Sequence, residues 1–505
     1  MRHNSKREVA IVLLILAVAA FFRFYHLDRT PPGLYPDEAM NGSNALIANE
    51  TGDYDVFYPE NNGREGLFIN LQAMSVKWFG AQSWALRGVS ALIGVLTVLG
   101  LYLLTRELFD RHIAALSSFL MAISFWHVNF SRIGFRAIML PFILVFMFYF
   151  FWRGLKESSF PNFLWAGVFA GLGFHTYTSY RIAPLIVLAV LFNYWLFLKK
   201  DYAYAAYAHA RNRLIGGIAL MAIAAFLVVL PLGLYYLSHP EFAGARGGIS
   251  VFAQSEPWRA MAASFSQTLG MFTFNGDCNW RHNLACSTTL AWPIAGLFAI
   301  GFIKELWHWL SRKHGHFSPT HTLLFAWFLI MLLPGMLSIE APHALRTVGA
   351  IPVVMIFAGL GLWWIFKLLG AWYDHQYSGA VSHVGRAPIP AVWVLVILLG
   401  AMAIFEYNRY FNIWGGSPHT AGAFTQEYVH IADQINALPQ SVKKYVIVRA
   451  GGVEVYGVPM PAQTVMFLTQ SASQEAQREK NIFYLTPGEA RQRQFERNAR
   501  IFEIK

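Results

Sequence analysis

A chain of 505 residues that is 56% hydrophobic and 16% aromatic, with only 13% charged, carries about half the charge of an ordinary soluble domain, which excludes that class. The net charge of +11 does not indicate a nucleic-acid partner, because the basic residues stand singly or in pairs between apolar stretches instead of clustering. The composition is that of a polytopic membrane protein, mainly α in fold class.

A helix needs about 20 apolar residues to cross a bilayer, and by that rule there are about eleven spans. They lie near 8–26, 87–104, 112–130, 137–153, 162–178, 182–198, 214–237, 289–309, 321–338, 345–369 and 389–411. Arg2, Lys6 and Arg7 precede the first like the basic start of a signal peptide. No small-residue cleavage site follows, so that span is expected to be retained. Lys6, Lys156, Lys199, Lys200, Lys304, Lys313 and Lys367 fall on one side of this path, and of the membrane region's lysines only Lys77 falls on the other. Since lysine-rich short loops stay cytoplasmic, the amino terminus is expected inside and the carboxyl terminus outside. The outer segments instead hold Arg64, Arg132, Arg136, Arg181, Arg246, Arg281 and Arg346. A guanidinium fork suits phosphate or carboxylate, although any one of these arginines could simply pair with an acid or a lipid headgroup.

The first outer loop, 28–86, begins with a Pro31-Pro32-Gly33 turn and Tyr35-Pro36-Asp37-Glu38-Ala39. Pro36 suits the first position of a helix and the acids its first turn, where they favour the macrodipole whatever else they do. Ala39, Leu46 and Ile47 give that helix an apolar side, so it is expected to lie along the membrane surface. After Gly63, a second surface helix is expected from Leu67, Leu71, Met74 and Trp78, holding Arg64 and Glu65 at the water boundary. Arg132 and Arg136, four apart among Trp126, Phe130 and Phe135, suit a lipid headgroup or an interfacial aromatic belt.

The second long outer loop, 238–288, contains Arg246, a helical pattern from Trp258 to Phe274, and then Gly276 to Asn283 with Arg281 and His282. Cys278 and Cys286, the only cysteines, fall in this outer loop and suit a disulfide. With His282 they also make a partial zinc set that lacks a fourth ligand of the usual spacing. Glu340, His343 and Arg346 stand just before a span, where ionisable groups need partners or water. From about 415 the chain turns polar: Gly415-Gly416-Ser417-Pro418 reads as a hinge. Beyond it, Tyr428, Ile431, Ile435 and Leu438 suggest a helix, while 445–448, 464–468 and 482–485 suggest strands. The layout is thus a membrane domain over 1–412 and a small outer α/β domain over 415–505. No dinucleotide or phosphate-loop fingerprint occurs.

In order and on a common side, Asp37-Glu38, Leu86-Arg87, Phe130-Ser131-Arg132 with Arg136, Gly276 to Asn283, and Pro342-His343 with Arg346 resemble the membrane glycosyltransferases of the GT-C superfamily. The likeness is to glycosyltransferase family 39, which includes protein O-mannosyltransferases and the aminoarabinose transferases that modify lipid A. The resemblance implies a sugar donor on polyprenyl phosphate, transferred with inversion to a lipid, glycan or protein acceptor outside a bacterial or archaeal plasma membrane. It implies Asp37 as catalytic base with Glu38 in support. Arg64, Arg132, Arg136, His343 and Arg346 are then candidates for the donor phosphate, and Glu65, Arg246, Arg281, His282 and Glu340 are further site candidates. Whether a divalent metal ion takes part is left open. The loop after the seventh span is too short for the β-trefoil domain of eukaryotic relatives. The rival class is a transporter or lipid flippase, but no internal repeat is evident and the charges sit at the outer boundary instead of the midplane.

Overall fold

The computed structural model describes residues 2–201, 204–242, 251–311, 318–377 and 389–505. Among these, seven helical segments are long and apolar enough to cross a membrane: Ser83–Leu108, Arg136–Glu157, Thr178–Leu196, Arg211–Ser238, Pro319–Met336, Val348–Trp372 and Ala391–Trp414. An eighth is the pair Arg111–Ile123 and Phe125–Arg132, bent by 57° where Ser124 leaves helical backbone angles. Three further helices, Arg2–Phe24, Phe160–Gly173 and Trp292–Leu310, occupy the other stretches where spans are expected. By length and composition alone they fall short, the second having 14 residues and the other two carrying charges such as Arg23, Lys304 and Glu305.

Packing answers those charges. Arg23 is fully buried and donates to the carbonyls of Ala19 and Ala122 at 3.0 and 2.9 Å, while Glu305 accepts from Lys304 and His321. Buried charge tolerates an apolar surrounding only with partners of this kind. At one end of the bundle Tyr102 donates to Glu8, Lys156 reaches Glu107, and Arg153 pairs with Glu157. One continuous apolar core runs through the bundle, with Trp126, Trp327 and Trp414 fully enclosed.

The carboxyl-terminal unit is a three-stranded parallel sheet with Lys444–Val448 central between Ile482–Leu485 and Arg500–Ile504. Helices Gln426–Asn436 and Gln463–Leu468 pack on it through Tyr428, Ala432, Ile435, Val465 and Met466. The strand expected over 464–468 is therefore a helix. It follows directly from the turn Met460–Ala462, and helical winding sends Val465 and Met466 to one core and Phe467 to another. Nor is 415–418 a loose hinge: the segment Asn408–Trp414 is π-helical, and the buried Trp414 carbonyl accepts from Ser417 N and Thr420 Oγ1.

Candidate active site in the first outer loop

The helix Pro36–Thr51 starts as the sequence expects, with Tyr35 extended as its cap, Pro36 at the first position, and Glu38 reaching back to Tyr35 N; Gly52 ends it at φ 83°. It does not lie exposed on a membrane surface. Residues 38–45 are all buried, because the carboxyl-terminal unit covers one side and the helix Gly66–Phe79 another. At Gly42 the Phe467 ring comes so close that a Cβ would stand 2.5 Å from it, so only glycine admits this contact. Of the apolar stripe expected on the helix Gly66–Phe79, Met74 and Trp78 are exposed, while Leu67 and Leu71 pack half-buried against the bundle core.

Helical geometry separates the two adjacent carboxylates. Asp37 is half-buried, and its Oδ1 accepts from Asn61 Nδ2 at 2.9 Å. Glu38 is fully buried and accepts from Arg87 Nε at 3.0 Å, Arg87 Nη2 at 3.2 Å and Gly134 N at 2.7 Å. Arg87 also donates to the carbonyls of Pro31 and Gly33, so this pair ties the turn before the helix to the membrane bundle. Asp37 faces a cavity that Glu38 does not line.

That cavity is lined by Asp37, Asn41, Asn61, Arg64, Arg136 and Tyr177, among others. A short hairpin, Phe57–Tyr58 against Arg64–Glu65, brings the arginine in. Its turn needs left-handed residues at Asn61, Asn62 and Gly63, and the Phe57 ring closes over Gly63. Arg64 is almost fully buried, donating to Asn41 Oδ1 at 2.7 Å and Asn44 Oδ1 at 2.6 Å, with Glu60 Oε2 at 3.6 Å. Burial, then the neighbouring Arg136 charge, pulls the Arg64 pKa down to about 10, still cationic at neutral pH. Arg136 donates through Nε to the buried Glu65 at 2.9 Å, while its Nη2 is buried with no hydrogen-bond partner among the described residues.

Other expected site residues sit elsewhere. Arg132 is fully buried, but its guanidinium donates to the carbonyls of Phe22, His26 and Thr30, where the first helix ends. It caps that helix end and does not reach the cavity. Arg346 donates to Ser338 and pairs with Glu340, which is largely exposed; of this segment it is Leu345 that lines the cavity. His343 meets Asp277 and His282. Burial, then the His282 charge, pushes its pKa down to about 3, so it offers no positive charge to a phosphate. Arg281 stacks on Tyr35 at 4.1 Å, beside Asp37, and His282 Nδ1 lies 3.0 Å from Asp277 Oδ2. Cys278 and Cys286 are joined as a disulfide, which removes both thiols from any zinc set. Arg246 lies outside the described residues. Asn41 and Tyr177 went unnoticed in the sequence, although Asn41, one turn beyond Asp37, shares its helix face.

The family model described as dolichyl-phosphate-mannose-protein mannosyltransferase matches residues 67–231. The chain is 25% identical over 234 residues to the provisionally named mannosyltransferase YkcB of Bacillus subtilis (strain 168), covering 44% of this chain and 30% of that relative's length. ArnT from Cupriavidus metallidurans, solved with undecaprenyl phosphate, superposes with a TM-score of 0.57 at 16% identity, over 94% of this chain and 89% of that one. The oligosaccharyltransferase AglB from Archaeoglobus fulgidus, solved with an inhibitory peptide and a dolichol-phosphate, gives 0.54 at 13% identity, over 96% and 69%. The protein is an integral membrane protein with the fold of the GT-C glycosyltransferases. Over 67–231 its sequence is similar to the family described as dolichyl-phosphate-mannose-protein mannosyltransferase.

Proposed function

We propose that this protein transfers a sugar from a polyprenyl-phosphate donor to a hydroxyl-bearing acceptor on the extracytoplasmic side, with inversion at the anomeric carbon. The observation that carries the reading is one cavity in which a half-buried carboxylate, Asp37, stands among two guanidiniums, Arg64 and Arg136, the latter with a buried Nη2 that has no hydrogen-bond partner among the described residues. Asp37 takes the proton of the acceptor hydroxyl, whose oxygen forms the new bond to the anomeric carbon. The bond from that carbon to the phosphate oxygen breaks, and its electron pair leaves with the lipid phosphate. A positioned base contributes about 10² to 10⁴ in rate. Cations placed where the leaving phosphate gains charge stabilise the transition state most, and Arg136 Nη2 is suited to that contact. Asn61 orients Asp37, and Arg64 is held by Asn41 and Asn44.

The test incubates purified protein with a panel of polyprenyl-phosphate sugars and a mixture of hydroxyl acceptors, detecting released polyprenyl phosphate by mass spectrometry. Release by wild type and its loss by at least about 100-fold in Asp37→Asn are expected. Lipid or solute translocation without sugar release would instead identify a transporter.

A further inference from the structure

We infer that Asp277, His282 and His343 form a binding site for one divalent transition-metal ion of the zinc type, separate from the Asp37 cavity. One ligand atom from each lies within 4.8 Å of those from the other two. Asp277 Oδ2 is 3.0 Å from His282 Nδ1 and 3.9 Å from His343 Nδ1, and the two imidazole rings are 4.8 Å apart between centroids. Ligands around a tetrahedral zinc at bond lengths near 2.0–2.1 Å stand about 3.4 Å apart, so the widest separation of the three closes by about 1.4 Å at most, shared between two side chains. Two imidazoles and one carboxylate select zinc and its neighbours over magnesium or calcium, which prefer oxygen alone.

The surroundings favour a ligand set over a simple hydrogen-bonded knot. His343 Nδ1 is buried and without a hydrogen-bond partner among the described residues, and 3.9 Å from a carboxylate oxygen is too far for one. A metal ion supplies what that nitrogen lacks. Outer contacts that orient the carboxylate ligand are also in place: Asn279 N donates to Asp277 Oδ1 and Ala344 N donates to Asp277 Oδ2. The Cys278–Cys286 disulfide holds the loop on which His282 sits. The nearby guanidiniums are engaged elsewhere, Arg281 on the Tyr35 ring and Arg346 on Glu340 and Ser338. On binding through Nδ1, neutral His282 carries its one ring proton on Nε2.

The full chain, purified in detergent, is equilibrated with excess zinc, dialysed against metal-free buffer and measured by elemental mass spectrometry. About one zinc per chain is expected, falling at least about ten-fold in His343→Ala and in Asp277→Asn, and unchanged in Asp37→Asn. Cobalt in place of zinc should give the visible absorption bands of a low-symmetry imidazole–carboxylate site in wild type, a readout that needs no variant to fold. Zinc retention in wild type no higher than in the variants, or no such bands, overturns the site. Neither readout involves sugar transfer, so this inference and the proposed activity stand or fall separately.

Discussion

Consecutive helical side chains point about 100° apart, and this is why Asp37 and Glu38 have such different surroundings. Asp37 meets the cavity, whereas Glu38 is enclosed with Arg87. Replacing one member of a buried ion pair leaves the other uncompensated, which costs about 3–5 kcal/mol. Glu38→Gln should therefore lower the melting temperature markedly, and Asp37→Asn should leave it within a degree or two while removing transfer. The reverse pattern would exchange the roles of the two acids. A second contrast is between Arg136 and Arg132. Arg136→Lys keeps the charge but loses the fork that spans Glu65 and the cavity, so release of polyprenyl phosphate should fall at least several-fold with little change in melting. Arg132→Lys loses contacts to the carbonyls of Phe22, His26 and Thr30 and should appear first as lost stability. Equal melting curves for the two variants would contradict this division.

At the scale of elements, the cavity depends on a hairpin far away in sequence. Glu454–Val455 pairs with Val458–Pro459, and Tyr456 at its tip, in left-handed conformation beside Gly457, reaches the first-loop helix. Its hydroxyl accepts from Asn44 at 3.1 Å and donates to Glu60 at 3.2 Å. Those two residues also hold Arg64. Tyr456→Phe removes one node of that arrangement; a lost hydrogen bond is worth about 1 kcal/mol, so transfer should fall about five-fold with folding preserved. Unaltered kinetics would mean that Asn41, Asn44 and Glu60 place Arg64 without Tyr456.

For the whole molecule, the carboxyl-terminal unit is part of the site's support. Leu34 O accepts from Thr425 and Thr464, and Phe467 packs against Gly42. Deleting 418–505 should leave a protein without transfer activity and with the first loop open to protease, even if the bundle survives. The proposed sidedness is tested at the same scale. Single cysteines at Asn62 and Gln474 should react with an impermeant reagent from outside, and one at Lys156 should be protected; labelling at Lys156 alone would invert the proposed orientation.

The membrane class, the helix beginning at Pro36 and the apolar stripe of the Gly66–Phe79 helix were legible in the sequence, because each rests on local composition, a cap or a short period. The division of labour between Asp37 and Glu38 was not, since it depends on Arg87 and Gly134, remote in sequence. The same holds for the burial of the first-loop helix, which Phe467 and its neighbours impose. The strand expected at 464–468 failed for a related reason: Thr464 to Leu468 has an apolar run that fits either period, and two separate cores select the helix. By itself the sequence determined solvent, helical content and the stock of arginines between the apolar stretches, properties carried by residues in their own segments. Only the tertiary structure decided which of those arginines meets the Asp37 cavity and which caps a helix, because a guanidinium's role is set by the acceptors that distant segments bring within its reach.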